Sequence, residues 1–447
     1  MIRDRDHITM LEKHLPSGNL ATKIEWMEEE LIPREEHYHG SHRERVAQAH
    51  RRSSSGHTFC LWFDKPEGYP LLKALHRAGH SLVICPGAMA QVLKDSDIPY
   101  GEFTVSDPRG PEKATYDLWK VLTKNLTLYD IGSWRQFVEV DFENMAKDLL
   151  KSSVFSLAAW EETIDKFPPK ILIQSVDCRA EGRPLVDGAR EMGVPSVQIA
   201  HGSLFDLHPY DVAGECTTLY SDRVFVWGEK DKDVLISYGA NESDVIVTGS
   251  PYLDYLYKAK GRLSKHDARK KLGLRDDEIV ISLWSSHPEP TFNWPDWLRV
   301  QNRTHWELVE FCKSLGARLL ACPHPLEINP RAPREILGHV IDGYLGLVRG
   351  AGLSAVQVEI HKKTEAMIAS DVCYFSLPSS AMVRAMILGV PVALAQGFPG
   401  APECPFPPTS LRDVLTNRQE QIKLQNDVLP DWNYGPGATE RVVQALQ

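Results

Sequence analysis

The chain has 447 residues, with 43% hydrophobic and 25% charged side chains, which excludes a disordered chain, a collagen and a coiled-coil rod. Fifty Lys and Arg stand against sixty Asp and Glu, a net charge of −10, and so acidic a chain is no general binder of nucleic acid, whose affinity rests on phosphate neutralisation. Length alone suggests about three units or two large α/β lobes.

The first residues, Met1 to Asp6, are charged and lead into no apolar run, so no secretory signal is expected. No stretch reaches the roughly 20 apolar residues of a membrane span. Residues 1–56 are polar and rich in both charge signs, and predict a helical or loosely ordered extension ended by Ser53-Ser54-Ser55-Gly56. The eight cysteines form no CxxC pair and sit singly, several in apolar runs. They read as buried thiols of a reducing compartment.

From His57 the pattern becomes strand, helix, strand. Thr58 to Phe63 and Ser81 to Cys85 are continuous apolar runs, the mark of buried parallel strands, with a helical stretch from Pro70 to Ala78 between them. Residues 112–167 carry helical periodicity and no strand signal, and predict a helical excursion. Strands follow at 170–175, 195–200, 223–228 and 245–249, with a helix from Pro184 to Met192 closed by Gly193. Residues 256–275 are charged and helical and are expected to cross to a second lobe. That lobe has strands at 278–284, 317–322, 372–375 and 391–394. The fold class predicted is α/β: two doubly wound, Rossmann-like parallel sheets facing a cleft, with lobes over 57–255 and 256–435 and a C-terminal helix over 436–447.

Strong motifs are missing: no GxGxxG after the first strand, no P-loop, no HExxH, no GxSxG. Histidine pairs at 37 and 39 and at 76 and 80 have no further ligands near them in sequence, so no metal is assigned. What remains are clusters at strand ends. Ala200-His201-Gly202 places an imidazole at a sheet rim, where it suits a general base, against the bland reading of a hydrogen-bonded loop histidine. Cys322-Pro323-His324-Pro325 repeats strand-then-histidine in the second half, on a turn that proline stiffens. Phe375-Ser376-Leu377-Pro378-Ser379-Ser380 ends a strand and opens a helix, whose N–H groups suit a phosphate. Trp284-Ser285-Ser286 and Thr248-Gly249-Ser250 add hydroxyls and a glycine that permits close backbone approach. Asp177, Arg179 and Glu181 follow another strand and could line an acceptor pocket, with Asp177 the alternative base. Trp284, Phe292, Trp294 and Trp297 are dense, and read as core packing or as a platform for sugar faces or a bilayer interface.

The order of His324-Pro325 and Ser379-Ser380 resembles the His-Pro and Ser-Ser motifs of GT-B glycosyltransferases of bacterial capsule and surface-polysaccharide assembly. It is most similar to the sialyl- and Kdo-transferases and the CDP-glycerol glycerophosphotransferases, over roughly residues 57 to 400. The resemblance implies that His324, Pro325, Ser379 and Ser380, with Ser285, Ser286, Gly249 and Ser250, hold the phosphate of a CMP- or CDP-type donor. It implies His201 as base, matching the glycerophosphotransferases. One position departs from relatives, which place a ribose-holding Glu five residues before the Gly of Gly-x-Pro: here it is Arg384, which would add charge near a donor phosphate or face solvent.

The implied activity is transfer of a sugar or polyol phosphate from a nucleotide-sugar donor to a glycan or glycolipid acceptor, inverting and metal-independent, with no cofactor beyond the donor. The implied place is the cytoplasm, at the inner membrane face. The rival expectations are a UDP-sugar 2-epimerase-like isomerase and an inactive GT-B scaffold.

Overall fold

The computed structural model describes residues 56–61, 68–85, 88–126, 135–175, 181–200, 202, 220–237, 239–285, 294–323, 356–357, 362–376, 379–395 and 410–447. The predicted extension over 1–55 lies outside them.

The first lobe runs β1 (His57–Leu61), α1 (Tyr69–Arg77), β2 (Leu82–Ile84), α2 (Ala88–Lys94), β3 (Tyr100–Glu102), α3 (Arg109–Leu126), α4 (Arg135–Lys166), β4 (Pro169–Gln174), α5 (Arg183–Glu191), β5 (Ser196–Ile199), β6 (Arg223–Val226), α6 (Glu229–Ser237) and β7 (Val245–Val247). The second runs α7 (Asp254–Ala259), α8 (Lys265–Lys271), β8 (Val280–Trp284), α9 (Trp294–Leu315), β9 (Arg318–Cys322), β10 (Val356–Gln357), α10 (Lys363–Ala369), β11 (Val372–Phe375), α11 (Ser380–Leu388), β12 (Val392–Leu394), α12 (Leu411–Thr416) and α13 (Arg418–Trp432), followed by α14 (Ala438–Ala445).

Two parallel sheets result. The seven-stranded sheet has the order β3-β2-β1-β4-β5-β6-β7 and the five-stranded sheet β10-β9-β8-β11-β12. The strands are apolar on both faces because helices cover both. In the first sheet, Leu71, Leu72 and Leu75 of α1 pack on one face and Trp160, Leu185 and Val186 of α4 and α5 on the other. In the second, Met382 and Met386 of α11 face Leu308, Val309 and Cys312 of α9 across the sheet. The expected doubly wound pair is the observed one.

Three features differ from the sequence reading. The edge strands β3 and β10 carried no apolar run, since β3 is half-polar Tyr-Gly-Glu and β10 spans two residues. The helical excursion is in part a crossover: Ala159, Trp160 and Ile164 of α4 bury against the first sheet immediately before β4. The charged stretch expected to link the lobes, α7 and α8, belongs to the core of the second lobe through Leu256 and Ala268. The actual passage is at 248–253.

The C-terminal segment returns to the first lobe. Val442 of α14 joins the cluster of Leu71 and Phe225. Asp254 caps α14 by accepting from the backbone N–H groups of Gly437, Ala438 and Thr439 at 3.0, 3.1 and 2.8 Å. This uses the helix N-terminus as an internal carboxylate site.

Five described cysteines are free thiols, and Cys60, Cys312, Cys322 and Cys373 are buried. Burial pushes the Cys312 and Cys373 thiols up to about 12, so they are inert packing groups. Among the described residues no helix is long and apolar enough to cross a membrane.

Candidate functional site

In a doubly wound sheet the chain winds outward from a central pair of strands, and the crevice at their carboxyl ends is where ligands bind. The second sheet has that switch between β8 and β11. Trp284 ends β8 and Ser285 follows it, buried. Phe375 ends β11 and Ser376 follows, its N–H donating to the Trp284 carbonyl at 3.2 Å. The rings of Trp284 and Phe375 stack at 5.9 Å, and the Trp284 indole N–H donates to Ser282 at 2.9 Å, so the crevice floor is fixed.

Helix α11 opens on the β11 side. Ser379 is its N-cap, with extended backbone (φ −158°, ψ 158°), yet its hydroxyl makes no capping hydrogen bond. The first turn therefore lacks the acceptor that a capping serine ordinarily supplies. Ser380 is the first helical residue, half-buried, and Gly389 ends the helix in the left-handed region at φ 73°. Arg384 lies one turn on, with Nη1 3.5 Å from the Tyr255 hydroxyl of α7. Arg384 is half-buried beside α7 of the same lobe.

Two groups here escaped the sequence reading. His305 of α9 is buried, with Nε2 3.2 Å from the Ser376 hydroxyl, and burial pushes its pKa down to about 4. It sits at helical spacing from Leu308, Val309 and Cys312, and a histidine on that apolar stripe was the available signal. Lys363 donates from Nζ to the Pro323 carbonyl at 2.8 Å and lies 5.8 Å from the centre of the Trp284 ring. Nothing in the sequence around Lys362-Lys363 distinguishes it from a solvated pair.

The first sheet switches between β1 and β4. Gln174 ends β4, in register with Leu61 on one side and Gln198 of β5 on the other. Gln174 is fully buried, and among the described residues neither its amide oxygen nor its nitrogen has a hydrogen-bond partner. Glu181 is half-buried in the turn before α5. Beside them, the Trp227 indole N–H donates to the Ala200 carbonyl at 2.8 Å, holding the end of β5 one residue before His201.

The inter-lobe passage gives Gly249 and Ser250 different neighbours from a phosphate. At Gly249 (φ 77°) a Cβ would lie 2.9 Å from Nη2 of Arg441, whose Nε donates to the Thr248 carbonyl at 2.7 Å. The close approach that this glycine permits is to the chain's own C-terminal return. The Ser250 N–H donates to the Asn433 side chain at 3.2 Å, and its buried hydroxyl has no hydrogen-bond partner among the described residues. Gly228 is as constrained: a Cβ there would stand 2.2 Å from the Asp431 carbonyl oxygen.

His201, Asp177, Arg179, Ser286, His324, Pro325 and Phe292 lie outside the described residues, as do the side chains of Trp294 and Trp297. In sequence, 201 follows β5, 177 and 179 follow β4, 286 follows β8 and 324 follows β9. Among the described residues no three His, Cys, Asp or Glu side chains gather as a metal site.

No protein-family model matches the chain, and no curated protein matches its sequence. Solved structures do. UDP-GlcNAc 2-epimerase from Neisseria meningitidis, solved bound to UDP-GlcNAc, superposes with a TM-score of 0.53 at 15% identity, covering 87% of this chain and 99% of that one. Staphylococcus aureus MnaA, solved with UDP, gives 0.53 at 15% identity, over 87% and 96%. A variant of the wall teichoic acid polymerase TagF gives 0.49 at 11% identity, over 90% and 92%. The likeness to the first two of these structures establishes the fold: the paired Rossmann-like lobes are the GT-B arrangement.

Proposed function

We propose that this chain is a nucleotide-dependent transferase that moves a sugar or polyol phosphate from a CMP- or CDP-type donor to a growing surface glycan, with inversion and without a metal. The observation that carries it is the N-terminus of α11. A nine-residue helix opens beside the switch point of the second sheet, and its capping serine leaves the first turn uncapped by side chain. The Met382 N–H is already taken by the Ser379 carbonyl at 2.7 Å, and in this reading an anionic phosphate meets the positive end of the dipole and the N–H groups before it.

In this reading the donor phosphates lie between α11 and the ends of β8 and β9, held by Ser379 and Ser380 with Ser285, Ser286, His324 and Pro325 at the rim. The developing charge on the leaving nucleotide is met by preorganised donors. The acceptor enters from the first lobe, past Asp177, Arg179 and Glu181. His201, neutral, takes the proton of the attacking hydroxyl, with Asp177 as the other candidate base. Arg384 replaces the ribose carboxylate of related enzymes, which speaks for transfer over epimerisation. The place of action proposed is the cytoplasmic side of the membrane, where such acceptors are built.

The test is incubation of CMP-, CDP- and UDP-activated donors with the enzyme, with and without a glycan acceptor pool, followed by NMR. Acceptor-dependent release of CMP or CDP with a new glycosidic or phosphodiester linkage is expected. Epimer formed from a UDP-sugar without acceptor would assign the isomerase instead, and turnover of no donor would leave a scaffold.

A further inference from the structure

Lys363 stands at the crevice for a structural reason that its own helix does not supply. It is the first residue of α10, a helix otherwise tied to α8 and the core by Ala366 and Met367. Its side chain reaches toward the carboxyl ends of β8 and β9. Nζ donates to the carbonyl of Pro323, the residue that follows β9 and precedes His324, and it lies over the indole of Trp284, the last residue of β8. Both anchors are rigid. Pro323 has a fixed φ, and the Trp284 ring is held by Ser282 and by the stacked Phe375. A flexible side chain is thus restrained at two points, and its ammonium is kept at the rim of the crevice.

Across β8 from this ammonium is β11 and the start of α11, with strand order β9-β8-β11. Neighbouring strands stand about 4.8 Å apart, so the two walls are separated by roughly two strand spacings. The helix N-terminus and the serines can take one phosphate on the β11 wall. A second phosphate, linked to the first, projects over Trp284 toward the β9 wall. Arg384 is turned to Tyr255 and α7.

We propose that Lys363 is the contact for the second phosphate of a nucleoside diphosphate, so that the site selects diphosphate-linked over monophosphate-linked nucleotides. This rests on the nucleotide-donor reading above and narrows it: between the two cytidine donor classes, the chain takes the CDP type. A compact ammonium binds phosphate as a point charge, and a charge-assisted hydrogen bond is among the stronger contacts available.

The experiment is isothermal titration of the full chain with CMP, CDP, UMP and UDP, for the wild type, Lys363→Met and Lys363→Arg. Methionine keeps the aliphatic stem over Trp284 and removes the charge, and the melting temperature of each variant is recorded beside its affinity. The wild type is expected to bind the diphosphate of the preferred base at least about tenfold more tightly than the monophosphate. Lys363→Met should weaken the diphosphate by roughly 10- to 100-fold and the monophosphate by less than about twofold, while Lys363→Arg keeps the preference. A lysine that merely holds the Pro323 turn would weaken both ligands alike, and that result overturns the inference. Equal affinity of the wild type for mono- and diphosphate overturns it too, and leaves the nucleotide-donor reading standing. Failure of the wild type to bind any of the four overturns both.

Discussion

The indole N–H of Trp227 donates to the carbonyl oxygen of Ala200 at 2.8 Å, so the end of β6 holds the end of β5 one residue before His201. Trp227 is itself fully buried and clamped. Its N–H donates to Asp231 at 3.2 Å and its carbonyl accepts from Tyr434 of the C-terminal return at 2.9 Å. The carbonyl that leads into the proposed base is therefore referenced to both the first sheet and the segment that joins the lobes. Trp227→Phe keeps most of the packing and removes the bond. A net hydrogen bond is worth about 1 kcal/mol and an orphaned buried carbonyl costs about 1–3 kcal/mol. The expected result is a kcat about tenfold lower with an unchanged donor KM, read by steady-state kinetics.

Ser379 and Ser380 are the next test. If phosphate takes the place of the missing cap, the double variant Ser379→Ala, Ser380→Ala loses donor affinity by roughly 10- to 100-fold. Without nucleotide the single variant Ser379→Ala should melt nearly as the wild type does, because the Ser379 hydroxyl makes no capping bond to lose. A large fall in its unliganded melting temperature would make this serine structural.

Gln174 predicts an opposition of stability and activity. Its amide is buried at the crevice of the first sheet and unpaired among the described residues. Gln174→Leu removes two unsatisfied polar atoms and should stabilise the fold by about 1 kcal/mol, seen as a higher denaturation midpoint. Acceptor KM should rise. Unsatisfied groups of this kind persist at sites that bind something polar.

Two buried groups at opposite ends of the second sheet shape the acid limb of stability. Asp371, at the start of β11, pairs with Lys265 at 2.8 Å, with buried Arg269 at 2.9 Å and with Arg418, and accepts from the Val280 N–H at 2.8 Å. Burial pulls its carboxyl pKa up, but these hydrogen bonds and charges hold it below the usual carboxylate range. His305 is held down to about 4 by burial. Both native pKa values lie below the unfolded ones, so both groups contribute stability at neutral pH that is lost on acidification. The His305 share goes between about pH 6.5 and 4, and the Asp371 share below the ordinary carboxylate range. His305→Gln should flatten the upper part of the limb in denaturation measured against pH. Asp371→Asn should cost about 3–5 kcal/mol at neutral pH by leaving Arg269 unpaired in the core.

The legible part of this molecule was what repeats. Ten strands of the two sheets announced themselves as apolar runs, because helices on both faces bury most of their positions. The edge strands β3 and β10 did not, since one is the half-polar Tyr-Gly-Glu and the other spans two residues, whereas the opposite edges β7 and β12 kept apolar runs. The strand-end clusters were visible because a polar group directly after an apolar run is conspicuous. Gly249 was legible as a position needing close approach, yet the partner it approaches, Arg441, is 192 residues away, and no local pattern could name it. Lys363 and Gln174 were invisible for a related reason. Their meaning comes from what the topology sets beside them, the indole of Trp284 in one case and the absence of any partner in the other.

The most direct test of nucleotide binding in the second lobe is a thermal-shift panel of CMP, CDP, UDP, GDP and ADP at matched concentration, with and without EDTA. A ligand that binds only the native state stabilises it by about 2.7 kcal/mol at a hundredfold excess over Kd, several degrees in melting temperature. The account predicts a rise with CDP, a smaller one with CMP, and no change on adding EDTA. A rise with UDP alone would contradict the cytidine donor, and no rise with any nucleotide would contradict the transferase itself.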